Sequence, residues 1–324
     1  MQKISIITSD CVIWNKEQVL FDLINAVLAG PVTIDLKYEG PCCRALGLDS
    51  LLDQVIQHTG VSQSSIVIHT SNQCSSSKFK EHRLGFVELE LAKKISAKKE
   101  HVPSTLNKLF GIFIGRSNWQ RLGLASYLFV KYHKNTNITY HYDHNLDFFN
   151  NNFGIEELIV KKWNSCHEVF EFIPHLPLKS VEHTYPILWN ESAFELTEQY
   201  IDIFCEIVCE TYFTGKTFFF TEKLMRCILN RRPFIVQGPQ YFLSNLKKLG
   251  FQTFDKWWDE GYSIDNPDAM FDSIKQNIDW IAEQTPTTIS NWYNEMQPIL
   301  EHNFRTLQNL TNSKITSTHF DFYD

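Results

Sequence analysis

Residues 204–254 read FCEIVCETYFTGKTFFFTEKLMRCILNRRPFIVQGPQYFLSNLKKLGFQTF, and this stretch decides the fold. Residues 200–210 alternate, with Ile201, Ile203, Cys205, Ile207 and Cys209 on one side, which predicts a strand with one buried face ending at Glu210. A Gly-containing loop follows. Thr221 is placed to cap a helix over residues 222–229, whose first two residues are Glu222 and Lys223. Residues 233–236 form a compact apolar strand closed by Gly238-Pro239, and residues 240–249 a helix stopped by Gly250. Strand, helix, strand and helix at this spacing belong to an open parallel sheet.

The helix start after Glu210 is also the chemically informative point. A helix that begins at the carboxyl edge of a sheet presents free N–H groups and the positive end of its dipole. Lys223 adds a full charge there, a combination suited to a phosphate or diphosphate, and Glu222 is able to accept hydrogen bonds from ribose hydroxyls. A purely structural account exists beside this one, because Glu in a first helical turn stabilises a helix by about 0.3–1 kcal/mol with no ligand.

Outward from this core the rhythm continues. Residues 109–115 are an apolar run ending in Gly115, residues 119–130 are helix-like, and residues 138–142 resemble a further strand. Residues 141–190, with clustered His and Asn and with Pro174, Pro177 and Pro186, read as an insertion or lid. Asn266-Pro267 and Thr285-Pro286 each join an N-cap to Pro at the first helical position. The second of these helices carries Ile289, Trp292, Tyr293, Met296, Ile299, Leu300, Phe304, Leu307 and Leu310 on one continuous face, so it must dock on something.

At the amino-terminal end, strands over residues 4–8, 32–36 and 65–69 alternate with helices over 17–28 and 48–58. Residues 75–82 are polar and charged, and the Lys-rich stretch 92–103 reads as a linker. The expected fold is therefore α/β, with two Rossmann-like doubly wound parallel-sheet domains facing a cleft. Residues 1–105 form the first, residues 106–285 the second, and residues 286–324 a C-terminal helix packing back across both.

Composition narrows the function classes. Of 324 residues, 43% are hydrophobic, which suits a folded core, and 30 basic against 37 acidic residues leave a net charge of −7. No basic tail or stripe is present, which argues against a protein dedicated to coating nucleic acid. No apolar run approaches the ~18 residues of a membrane span, and the N-terminus lacks the long apolar core of a secretory leader. We expect a cytoplasmic protein with no stable membrane insertion. The eight cysteines are scattered without a C-x-x-C pair, so buried reduced thiols are expected rather than a zinc or redox site.

Phe204 to Glu210, the step Phe220-Thr221-Glu222-Lys223 and the strand Arg232-Pro233-Phe234-Ile235-Val236-Gln237-Gly238 together resemble the donor-binding half of GT-B glycosyltransferases. The nearest group is the α-1,3-fucosyltransferase-like one. Phe110-Gly111-Ile112-Phe113-Ile114, Ser117-Asn118 and Arg121 resemble that family's upstream strand, Ser-Asn step and following Arg. The spacing between Arg121 and Glu222 is longer than the family's, and the N-terminal half offers no motif to align. The resemblance implies a GT-B-like arrangement in which Glu222 holds the nucleotide ribose, Lys223 the diphosphate and Arg121 a second phosphate contact. It implies that Glu210 closes the strand beneath the donor, that Gly238 ends the neighbouring strand there, and that Arg116 replaces Arg121 if the register shifts.

The implied activity is a glycosyltransferase moving a sugar, fucose from GDP-fucose by resemblance, from a nucleotide-diphosphate donor to a hydroxyl acceptor such as a glycan. Such a donor carries its own leaving group, so the enzyme must neutralise the departing diphosphate and, if it inverts, supply one general base. The absence of a D-x-D triplet points to a metal-independent site with no cofactor beyond the donor. Asp10, after the first strand, and His69, at the end of the third, are the candidate bases, because ligands of open α/β sheets gather at those positions. His141-Tyr142-Asp143-His144 lacks a third protein ligand for a metal and reads as a polar surface loop. Trp257-Trp258 and Phe218-Phe219-Phe220 read as core. Two rival functions remain at this level. A nucleic-acid base glycosyltransferase would need a basic groove, for which Lys93, Lys94, Lys98 and Lys99 are the obvious supply. The other rival is a non-catalytic glycosyltransferase-like interaction module.

Overall fold

Apolar residues at periods of two and 3.6 in the first third of the chain build a parallel sheet and the helices that cover it. The computed structural model describes residues 2–6, 8–9, 12–13, 15–36, 40–84, 92–93, 102–115, 117–141, 155–162, 164, 166–178, 197–219, 221–261 and 266–312. The first sheet joins β1 (Gln2–Ser5), β4 (Val32–Asp35), β5 (Ile66–Thr70) and β6 (Lys80–Arg83) in that order, all parallel; β2 (Thr8–Ser9) and β3 (Val12–Ile13) pair separately and antiparallel. Helices α1 (Lys16–Ala29) and α2 (Leu48–Thr59) form the two crossovers and pack on each other. Both crossovers step the same way across the sheet, and right-handed connections then put both helices on one face. Leu23, Val27, Leu51, Leu52 and Val55 meet Val32, Ile34, Ile66 and Ile68 there. The other face presents Thr33, Asp35, Val67 and His69, so double winding does not extend to this sheet among the described residues.

β6 lies in the segment expected only to be polar. Lys80-Glu81-His82-Arg83 holds no apolar residue, yet it pairs with β5 as the outermost strand, where one free edge tolerates charge.

The second sheet joins β7 (Lys108–Ile114), β8 (Thr136–Tyr140), β9 (Ile203–Cys209) and β10 (Phe234–Gln237) in the order β10-β9-β7-β8, all parallel. The connecting helix α3 (Trp119–Tyr132) packs against α5 (Cys166–Phe172) and α4 (Ile155–Lys161). Leu158, Val169 and Phe172 are buried in the second core, so this part of residues 141–190 is built into the unit rather than appended to it. A short helix, α6 (Thr197–Asp202), corrects the strand expected from residue 200: Tyr200–Asp202 are helical and β9 starts at Ile203. β9 is also buried on both faces rather than one. Its inward polar residue, Glu206, is neutralised in place by Arg226, which is why alternation in the sequence did not mean exposure.

Helices α7 (Glu222–Leu229), α8 (Phe242–Lys248), α9 (Pro267–Ala282) and α10 (Pro286–Asn312) complete the second unit. Asn266 caps α9 and Thr285 accepts from Thr288 N at the start of α10, as their sequence positions predict. Gly250, at φ 93, ends the turn after α8 in the left-handed conformation expected of it. The apolar face of α10 packs on α7, and its buried residues belong to the second core. Arg232 ties the same region together from inside, donating to Tyr200 O at 2.6 Å, to Tyr293 Oη at 2.9 Å and to Val102 O at 3.1 Å. Trp257, Trp258, Phe218 and Phe219 are core residues, and Cys42, Cys43, Cys74, Cys205, Cys209 and Cys227 are buried free thiols. No helix among the described residues is long and apolar enough to cross a membrane.

Candidate functional site

The chain leaves β7 in one direction, through α3 to β8, and leaves β9 in the other, through α7 to β10. β7 and β9 are therefore the point where strand order reverses. Right-handed crossovers send α3 and α7 to opposite faces, which makes the space beyond the carboxyl ends of these two strands the expected ligand crevice of such a sheet.

Both helices open toward that crevice with a capped first turn containing a cation. Asn118 Oδ1 accepts from Arg121 N at 2.9 Å, and Thr221 Oγ1 accepts from Lys223 N at 3.3 Å. The two side chains then reach consecutive residues at the end of β9. Arg121 Nη2 donates to Glu210 O at 2.8 Å, and Lys223 Nζ donates to Thr211 Oγ1 at 3.2 Å. Burial pushes the Cys209 thiol up to about 12, with Arg121 and Lys223 both pulling the other way, so one sulfur senses both cations. The structure thus brings together two residues far apart in sequence that were expected to act on one group.

Their surroundings divide the labour. Lys223 also donates to Glu222 Oε1 at 2.8 Å, and both side chains keep 19% exposure. Burial opposes ionisation of Glu222, but Lys223 and then Arg226 outweigh it and hold its carboxyl below the ordinary value. Arg121, only 4% exposed, lies beneath the surface at the end of β9. Glu210 is fully buried, and its carboxylate accepts from Thr221 N at 3.1 Å and from Thr221 Oγ1 at 2.7 Å. Glu210 therefore acts through Thr221, fixing the residue that starts α7. Burial raises its carboxyl above the ordinary value, which Lys223 and Thr221 only partly counter.

A second anchor lies one turn into α7. Arg226 Nη2 pairs with Glu206 Oε1 at 3.3 Å and Arg226 Nε donates to Tyr200 Oη at 2.8 Å, while Tyr200 also bonds Glu206. This buried triad sets the tilt of α7 against β9. Gly238 follows β10, and a Cβ there would stand 3.0 Å from the Phe242 ring, so it permits α8 to begin close to the sheet.

Among the described residues, the first unit meets this site at the 215–219 loop. Asn72, just beyond β5 and wholly buried, accepts from Phe218 N at 2.9 Å and donates to Lys216 O at 3.0 Å. Gln73 N donates to Phe218 O at 3.0 Å, and Thr217 Oγ1 donates to Gly40 O. Gly215 comes so close to the first unit that a Cβ would lie 2.8 Å from Cys42 Cβ. The loop that delivers Thr221 and Lys223 is thereby seated on the carboxyl end of the first sheet. Asn72 and Thr211 escaped the sequence reading, although each lies two residues past a strand end, where such groups gather.

His69 occupies that same carboxyl end. It pairs in register with Asp35 and with His82, whose ring centroid is 4.8 Å away. Burial and then His82 lower its pKa, with Asp35 acting in the opposite sense. Asp10 and Arg116 lie outside the described residues, as do Asp143, His144, Phe220, Lys94, Lys98 and Lys99. His141 is buried after β8, and no group of three or more metal-ligating side chains forms among the described residues.

No protein-family model matches this chain, and no curated protein matches it significantly.

Proposed function

We propose that this chain is a glycosyltransferase of GT-B type that takes a sugar from a nucleoside-diphosphate donor bound at the β7/β9 crevice. The convergence of Arg121 and Lys223 on the end of β9 is the observation that carries this reading. Two helix starts and two cations around one crevice suit a diphosphate, whose charge grows as it departs. Lys223 meets the phosphates from the rim, Arg121 supplies charge from the floor, and Glu222 accepts from the ribose.

In the transfer, the bond from the sugar's anomeric carbon to the diphosphate oxygen breaks and its electron pair leaves with the nucleotide. The acceptor oxygen bonds to the same carbon, and its proton passes to a base. His69 is the candidate for that last role among the described residues, because it stands at the carboxyl end of the first sheet, where ligands of open α/β sheets gather. Fucose as the sugar and a glycan as the acceptor follow from the sequence resemblance alone.

A thermal-shift panel of GDP, UDP, ADP, CMP and dTDP tests the donor site. A ligand at 100 times its dissociation constant adds about 2.7 kcal/mol of stability. We expect one nucleotide to raise the melting temperature of the wild type and Lys223→Ala to abolish that rise, each shift being read against the same protein's own ligand-free transition. Silence toward every nucleotide removes the proposal and leaves the interaction-module reading.

A further inference from the structure

The crevice floor explains how a diphosphate is held, but it says nothing about the nucleobase. Beyond the end of β10 the chain turns through Gly238-Pro239-Gln240 and places Tyr241 at the start of α8. Tyr241 has φ 59 and ψ 12, the left-handed conformation that aromatic residues seldom adopt. It is 37% exposed, although Phe242 beside it is buried. An aromatic ring is thus left at the surface on the carboxyl edge of the sheet.

Its position relative to the crevice follows from three contacts. Glu210 N donates to Gln237 O at 2.9 Å, so the end of β10 lies directly beside the residue that Arg121 grips. Phe242 packs edge-on against Phe218 at a centroid distance of 5.5 Å, joining the start of α8 to the loop that delivers Lys223. Asn245 N donates to Tyr241 O at 2.8 Å, which fixes the Tyr241 backbone as the first link of the helix. The Tyr241 backbone therefore lies along the same edge, on the segment that follows the strand next to β9.

We infer that Tyr241 is the platform on which the nucleobase of the donor stacks, with its diphosphate directed back to Lys223 and Arg121. The inference rests on the donor-site reading above. A π-face accepts any base, so Tyr241 supplies affinity for a nucleoside over a bare diphosphate rather than choice among bases.

The test compares the binding of the best nucleoside diphosphate from the panel with that of inorganic pyrophosphate, by calorimetry on the full chain. Tyr241→Ala is expected to weaken the nucleoside diphosphate about tenfold and to leave pyrophosphate within about twofold. Tyr241→Trp is expected to restore nucleoside binding. Tyr241→Asn, whose side chain tolerates the left-handed backbone, repeats the loss without disturbing the helix start, which thermal unfolding verifies. Equal affinities in wild type and variants, or parallel losses for both ligands, overturn the stacking role while the diphosphate site stands. A wild type that binds neither ligand overturns both.

Discussion

Arg121 and Glu210 meet through a hydrogen bond, Nη2 to backbone oxygen at 2.8 Å, that spans the switch between β7 and β9. The guanidinium comes from the helix after one strand and the carbonyl from the end of the other. Arg121 thereby closes the bottom of the crevice and charges it in one gesture. Lysine has the charge but not the planar fork of donors. Arg121→Lys is expected to weaken nucleoside-diphosphate binding about tenfold, the worth of a charged hydrogen bond. Calorimetric titration checks this, and unchanged affinity would remove Arg121 from the site.

Glu210 predicts a pH signature. Burial raises its carboxyl in the folded state above the unfolded value. Between those two values the folded chain holds more protons than the unfolded one, so stability falls as pH rises. This contribution is complete below the ordinary carboxylate value and is lost as pH rises through the folded one. Glu210→Gln, which cannot ionise, should flatten that part of the curve. Urea unfolding of both proteins from about pH 4 to 7 compares the slopes, and parallel curves would contradict the shift.

The seat of the loop on the first unit is tested by two glycines. Gly215 and Gly60 have nearly the same φ, +72 and +71, but a Cβ on Gly215 meets Cys42 and Ala45 whereas one on Gly60 meets nothing within 4 Å. Gly60→Ala should cost about 1–2 kcal/mol, from backbone strain alone. Gly215→Ala should cost about 2–5 kcal/mol, because overpacking adds to the strain. Equal losses in chemical denaturation would mean that the contact between units is not tight.

Asn72 is expected to hold that contact polar-side. Asn72→Ala strips partners from Phe218 N and Lys216 O in a buried setting, at a cost of about 2–4 kcal/mol. Amide exchange at Phe218 should accelerate while exchange within β7 stays slow. Acceleration at both would indicate general destabilisation instead.

How much of this was legible beforehand differs by element. The cap at Thr221, the helix over residues 222–229 and the Asn266-Pro267 start appeared in place, because each depends on residues within a turn of one another. β6 was not legible, because a charged edge strand is recognisable only once its neighbour exists. Tyr200 reads as strand in the sequence because the helix Thr197–Asp202 spans less than two turns. That is too few residues for a 3.6 period to show beside the alternation of β9. The Tyr200–Glu206–Arg226 triad forms only in the folded chain. Arg121 and Lys223 were paired beforehand through resemblance; no local rule connects them.

By itself, then, the amino-acid order determined the α/β rhythm, most element boundaries and the helix caps, since these obey short-range backbone and hydrophobic periodicity. The strand order, the reversal between β7 and β9 and the seating of the 215–219 loop on Asn72 were decided by tertiary structure alone. Those relations join residues remote in the chain, and their energy exists only when two surfaces are already in contact.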